Sequence, residues 1–397
     1  MQYEISNRMS DVHGSAIREL FKLGADPNMI SFGGGNPSAE TFPVPEIAEI
    51  MADVMKNAPV SVLQYGLSEG YTPLRDTMKE YLARTQGFDF EKNELFVVSG
   101  GQQCADLTTK VLVNEGDVIL TEDPAFVGCL NTFRSYGAKL VGVPMQQDGM
   151  DIDALEAALK ANPNAKLLYT IPSFQNPSGI TTTLEKRKKV YELACKYDIA
   201  ILEDNPYGEL YYAERPPVSL RAFAPERTLR LGTMSKVLAP GFRLGYICGP
   251  KHVLNALKQM KTSMDLHTST YTQLITARVL DQDLFSEHLP AVRRLYAEKA
   301  KVMLDSLEEF MPKHPEVSWT KPTGGMFIWL NLPKNVDSAD LMKKVLASDV
   351  PVGFVPGVAF YTDNPEVNHC RLSFVTVPSE KIVAGIKSVA EALKTFL

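Results

Sequence analysis

IAILEDNPYGELYYAERPPVSLRAFAPERTLRLGTMSKVLAPGFRLGY (residues 199–246) decides the fold. It contains two short apolar runs, 199–203 (IAILE) and 229–233 (LRLGT). Runs of this length between helical stretches read as strands buried on both faces. Each is followed by polar residues that a core does not need. Asp204-Asn205-Pro206-Tyr207 follows the first, and Met234-Ser235-Lys236 follows the second, with Arg243 seven residues beyond the lysine.

The same pattern extends upstream. Residues 95–99 (LFVVS), 117–121 (DVILT), 139–143 and 167–171 (LLYTI) read as strands. Helical stretches near 102–113, 127–136, 152–161 and 184–197 separate them, and 246–248 adds a seventh short strand. Such alternation predicts an α/β fold with a mainly parallel seven-stranded sheet covered by helices. Sheets of this kind bind ligands at the carboxyl ends of their strands. Past residue 285 the pattern changes. A long helical stretch at 287–310 precedes strand-like runs at 326–331, 352–355 and 371–375, with helices near 338–347 and 379–396. The expected organisation is an arm over 1–45 packing with the small domain, a large domain over 46–285, and a smaller α+β domain over 286–397.

The bulk properties agree with this reading. The 397 residues suit two domains at about 100–200 residues each. A 45% hydrophobic content supports a large core, and a net charge of −6 without Lys/Arg clusters argues against nucleic acid as a partner. Cys104, Cys129, Cys195, Cys248 and Cys370 show no CxxC spacing and read as buried, reduced thiols. The histidines form no HExxH pair, so no metal site is expected. The first 15 residues lack a signal-peptide pattern, and no run of about 20 apolar residues occurs. The expected location is cytoplasmic, away from the membrane.

The strand ends supply the chemistry. After 95–99 comes Gly100-Gly101-Gln102-Gln103; after 167–171 comes Pro172-Ser173-Phe174-Gln175-Asn176-Pro177. In a parallel sheet all these segments share one edge. Glycines ahead of a helix start expose backbone N–H groups to a phosphate. Hydroxyls at Thr233 and Ser235 with the Arg243 guanidinium complete an anion cup. Lys236 beside that cup can form an imine with an aldehyde. Asp204 can hold a pyridine nitrogen protonated, which makes the ring an electron sink. Tyr207 and Asn176 can bond a phenolate oxygen, and Phe126 can lie on an aromatic ring. Singly, each has an ordinary reading: a turn glycine, a capping aspartate, a solvated lysine, a core phenylalanine. The ordered set outweighs its members.

SFGGGNP (31–37), LQYGLSEGYTPLR (63–75), VSGGQQCADL (98–107), EDPAFVG (122–128), PSFQNPSG (172–179), EDNPYGEL (203–210), GTMSKVLAPGFRLGY (232–246), PTGGMFIWL (322–330) and CRLSF (370–374) carry a family resemblance. From residue 30 to the C-terminus the chain resembles the fold-type I pyridoxal-phosphate aminotransferases of class I/II. Its pattern is nearest the kynurenine/α-aminoadipate and aromatic or branched-chain branch. The resemblance implies pyridoxal 5′-phosphate as cofactor, with an amino acid and a 2-oxo acid, 2-oxoglutarate among them, as small-molecule partners.

The roles it implies are specific. Lys236 carries the cofactor as a Schiff base and shuttles the Cα proton; Asp204 pairs with the pyridinium nitrogen. Tyr207 and Asn176 bond the ring's 3′ oxygen, Phe126 stacks on the ring, and Gly101, Gln102, Thr233, Ser235 and Arg243 hold the phosphate. Many relatives carry Tyr where this chain has Phe126, so stacking survives and a hydroxyl is absent. Arg371 grips the substrate carboxylate with help from Asn176 and the Gly34-Gly35 backbone. Tyr65 reaches the neighbouring subunit's phosphate, which implies a homodimer. The Asn176-Pro177 bond is expected to be cis. Arg18, on an amphipathic helical stretch, has two readings of equal weight: a solvated surface charge, or a contact to a distal substrate carboxylate. Tyr3, Leu20, Phe21 and Phe354 are candidates for an apolar side-chain pocket.

Other reactions share the lysine and aspartate, so a β-lyase, decarboxylase or racemase stays open at this point. A regulatory effector-binding domain is a further reading; it is disfavoured because the pattern begins almost at residue 1. A nicotinamide-binding fold is disfavoured because Gly33-Gly34-Gly35 is not a GxGxxG between a strand and a helix.

Overall fold

The computed structural model describes residues 3–9 and 29–397. Its first strand is β1 (Ile30–Ser31). Eight strands then build the large sheet: β2 (Asn93–Val98), β3 (Val118–Asp123), β4 (Lys139–Gln146), β5 (Gly149–Met150), β6 (Ala165–Thr170), β7 (Ala200–Asp204), β8 (Thr228–Thr233) and β9 (Gly245–Pro250). Their order is β2-β9-β8-β7-β6-β3-β4-β5. The run from β8 to β4 is parallel, while β9 is antiparallel to both β2 and β8. The seven expected strands are present, and the two-residue β5 folds back on β4 as an eighth.

The apolar runs are continuous because both faces of this sheet are covered. Leu167, Tyr169 and Leu202 pack into one buried cluster, while Leu120, Leu168 and Ile201 pack into another. Alternate residues of one strand therefore enter different cores. At about 1.5–3 kcal/mol for each fully buried large aliphatic side chain, the two-sided burial fixes strand position firmly.

The second sheet, of order β10-β11-β14-β13, contains β10 (Ser318–Trp319), β11 (Phe327–Asn331), β13 (Val355–Pro356) and β14 (His369–Ser373), all antiparallel. The strand expected at 371–375 thus lies two residues earlier. The run 352–355, expected as one strand, divides. β12 (Val352–Gly353) pairs in parallel with β1, and β13 pairs with β14. Fully buried Phe354 sits between them. Four apolar residues in a row cannot reveal that two neighbours satisfy their hydrogen bonds on different partners.

The arm also divides. Ile30–Ser31 pairs with β12 in a separate two-stranded sheet, whereas the 3-10 turn Asn7–Met9 contacts the helix Val127–Ser135 beside the large sheet. All five cysteines are unpaired. Four are buried as expected, but Cys195 is exposed. It follows buried Ala194 on the helix Leu184–Lys196, and one residue's rotation turns it to solvent. Among the described residues, no helix is long and apolar enough to cross a membrane.

Candidate active site

The carboxyl ends of β2, β6, β7 and β8 open onto a cavity of about 270 Å³. It is lined by Lys236, Asp204, Tyr207, Asn176, Phe126, Gly101, Gln102, Thr233, Ser235, Arg243 and Arg371, together with Gly35. A groove of about 870 Å³ between Asp123–Pro124 and the second sheet holds none of the expected site residues. Chemistry, rather than size, therefore identifies the site.

Lys236 Nζ donates to the Gly35 carbonyl at 2.8 Å. Burial, then the charges of Arg371 and Arg243, draw its pKa down to about 8, with Asp204 opposing. Asp204 ends β7 and is buried. It accepts a 2.8 Å hydrogen bond from the Tyr169 hydroxyl. Burial pushes its carboxyl up to about 7, against the pull of that bond. A cation facing this carboxylate offsets the desolvation and restores its charge. Tyr207 is buried and edge-on to Phe327, and its hydroxyl accepts from Asn176 Nδ2 at 3.3 Å. Burial raises its pKa.

The anion cup forms where β2 gives way to the helix Gly101–Leu112. Gly100 caps that helix at φ +86°, and a Cβ there would collide with the Arg243 guanidinium. Glycine is thus required by backbone and neighbour together. At Gly245 the neighbour alone excludes a side chain, since a Cβ would stand 2.9 Å from the Gly100 carbonyl carbon. Thr233 and Ser235 hydroxyls lie 3.0 Å apart, and Thr233 Oγ1 also accepts from the Ser235 amide. Gln102 Nε2 donates to the Gly128 carbonyl at 2.9 Å, on the side where Phe126 precedes its helix.

Arg371, on β14, is fully buried. Nη1 donates to Asn176 Oδ1 and Nη2 to the Gly33 carbonyl at 2.8 Å; Nε is buried without a partner. The Asn176-Pro177 bond is cis, as is Asp123-Pro124. Of the expected glycine pair, Gly35 lines the cavity and Gly34 does not; Gly33 supplies the arginine's acceptor instead.

Several expected residues stand apart. Tyr65 is 79% exposed, edge-on to His267, and lies outside the cavity of its own chain. Tyr3 is exposed and Phe354 is buried away from the cavity lining. Arg18, Leu20 and Phe21 lie outside the described residues. Conversely, Tyr169, Cys129 and Gly33 passed for core or turn residues. Tyr169 is revealed only by the strand register: it pairs with Leu202 across β6 and β7, so it shares the face of Asp204 two residues on.

A lysine with a lowered pKa, a buried aspartate and the group of Gly101, Thr233, Ser235 and Arg243 converge on one edge of a mainly parallel sheet. The fold and this site define a fold-type I pyridoxal-phosphate enzyme. A family model described as aminotransferase class I and II matches residues 27–389. The chain is 40% identical to aromatic-amino-acid aminotransferase 1 of Thermococcus litoralis, over 99% of this chain and 95% of that protein. It is 38% identical to 2-aminoadipate transaminase of Thermus thermophilus, over 97% and 95%. The crystal structure of Pyrococcus horikoshii kynurenine aminotransferase in complex with PMP superposes with a TM-score of 0.94 at 38% identity, covering 99% of this chain and 97% of that one. The chain belongs to the class I and II aminotransferases and is a pyridoxal 5′-phosphate-dependent enzyme.

The residues present fit the cofactor. A buried carboxylate, an amine drawn toward neutrality, and a cradle closed by Gly100 and Arg243 match a pyridinium, an aldehyde and a phosphate.

Proposed function

We propose that this chain exchanges the amino group of an aromatic, branched-chain or α-aminoadipate-like L-amino acid with a 2-oxo acid, 2-oxoglutarate in particular. The observation that carries this is the placement of Arg371, with an unpartnered Nε, on the cavity that holds Lys236. A guanidinium fixed beside the reactive amine suits a substrate bearing both a carboxylate and an amino group. The names of the Thermococcus, Thermus and Pyrococcus proteins support the choice of side chains.

Pyridoxal phosphate, once bound, supplies an aldehyde carbon and a protonated ring that takes up the electron pair released at the substrate Cα. Lys236 Nζ would hold the aldehyde and, once a substrate amine has displaced it, would be the free amine that takes and returns the Cα proton; its pKa, lowered to about 8, favours the neutral form. Asp204 keeps the ring nitrogen protonated. Tyr207 and Asn176 bond the 3′ oxygen, and Phe126 covers the ring. The Gly101 amide, Gln102, Thr233, Ser235 and Arg243 bind the phosphate. Arg371 and Asn176 orient the carboxylate, with the Gly33–Gly35 backbone holding the arginine and lysine.

The arm, the large domain (46–285) and the small domain (286–397) are read as the working units of a cytoplasmic homodimer. Val60, Leu63 and Tyr65 are each at least 75% exposed and form an apolar surface suited to a second copy, with Tyr65 reaching its phosphate. An amino-donor panel with 2-oxoglutarate tests the function. Stoichiometric glutamate from aromatic, branched-chain or aminoadipate donors is expected. Release of ammonia or CO2 without glutamate would replace transamination by lyase or decarboxylase chemistry.

A further inference from the structure

We propose that Glu122 is a positioning residue for substrate binding: acting through Gln175, it sets the turn that presents Asn176 to Arg371. The proposal rests on the reading above for what Arg371 binds.

Glu122, on β3, has no exposed surface and lies outside the cavity lining. Its two oxygens each accept from the Ile171 amide at 3.1 Å. One also accepts from the Thr170 hydroxyl, and the other from Gln175 Nε2 at 3.0 Å. The Ile171 and Gln175 N–H groups can only donate, and with the Thr170 hydroxyl they oppose the burial that raises the Glu122 pKa. Gln175 Nε2 also donates to the Pro124 carbonyl at 2.7 Å. Its Oε1 accepts from the Ser178 amide at 2.8 Å and the Ser178 hydroxyl at 2.6 Å. Asn176 is enclosed between these anchors.

Glu122, together with the Pro124 carbonyl and the Ser178 donors, fixes which way the Gln175 amide points. Reversed, the amide would set its oxygen against two acceptors and leave both Ser178 donors without a carbonyl. The far end of the loop is held separately: buried Arg187 donates to the Pro172 carbonyl at 2.6 Å and to Ser173 Oγ at 3.0 Å. A buried carboxylate is a costly anchor, and one that also fixes an amide's direction gives the turn a single geometry.

Glu122→Gln tests this, because it places a donor where only an acceptor fits. In the holoenzyme, amide hydrogen exchange over 171–178 is expected to quicken roughly tenfold, the scale of one hydrogen bond to a charged group. KM for the amino acid should rise about tenfold and, since Asn176 also bonds the 3′ oxygen, the cofactor dissociation constant should rise by a smaller factor, with kcat within about twofold of wild type. Unchanged exchange, or a loss of kcat at constant KM, overturns the proposal. If Glu122→Gln does not fold, Gln175→Ala cuts the same chain one link nearer Asn176, and the same readouts decide. Wild-type enzyme that transfers no amino group would refute the functional reading alone; the exchange data would still settle whether Glu122 holds the loop.

Discussion

Arg371 and Asn176, 195 residues apart in sequence, meet at 2.9 Å, the guanidinium Nη1 donating to the amide Oδ1. The guanidinium also lies over Phe327, with Cζ 4.3 Å from the ring centroid, and Phe360 packs at 5.1 Å. It is fixed in plane and direction before any substrate arrives.

Arg371→Lys keeps the charge and loses the fork. One ammonium cannot reproduce the contacts to Asn176 and Gly33 while receiving a carboxylate. Steady-state kinetics should show KM for the amino acid raised roughly 10- to 100-fold, the scale of one lost charge-assisted bond. Wild-type KM would remove Arg371 from the substrate site.

Lys236→Ala should retain the fold and lose turnover by at least about a thousandfold, within the range for a general acid–base group. The visible absorbance of cofactor joined to lysine should vanish. Near-normal turnover would sink the assignment.

Tyr169→Phe removes the hydroxyl that pulls the Asp204 pKa down. If Asp204 pairs with the ring nitrogen it must be ionised, so the acidic limb of the kcat/KM profile should move to higher pH, by about one unit for one bond to a charged group. A limb that stays put, or moves to lower pH, contradicts the link between these residues.

Asp204→Asn should stabilise the cofactor-free protein at pH 8 while removing most activity. The folded carboxyl titrates near 7, above its ordinary value of about 3.9. A raised pKa lends stability that is complete below the unfolded value and is lost as pH rises through the folded one. Melting temperatures of apo wild type should therefore fall behind those of Asp204→Asn between about pH 4 and 8, and match them in acid. Parallel curves would show that this carboxylate is not desolvated.

Arg18→Ala addresses specificity. If Arg18 meets a distal carboxylate, KM for glutamate and 2-oxoglutarate should rise about tenfold, and KM for leucine or phenylalanine by less than about twofold. Equal changes for all substrates would return Arg18 to the solvated surface.

Much of this was legible because a covered parallel sheet writes itself as short apolar runs, with its chemistry at the run ends. Asp204, Lys236 and Gly101 were found that way. Arg371 needed the family resemblance, since it lies inside a strand of another sheet, and its run alone reads as ordinary core. Tyr169 was hidden for the opposite reason: it sits in the middle of an apolar strand, and only pairing with β7 turns it toward Asp204. Glu122 shows in the sequence only as part of a motif, because its three donors come from residues 170–175 and no local pattern announces them. The helices Lys251–Met264 and Thr270–Asp281 were not singled out, as they follow the last strand and carry none of the motif residues.

The segment from Ile30 to Gly35 has a practical consequence for anyone reworking this chain. It pairs with β12, its Phe32 carbonyl receives the Ser373 amide, and its Gly33 and Gly35 carbonyls hold the arginine and the lysine. Deleting through residue 35 would deprive both cations of an acceptor in a single cut.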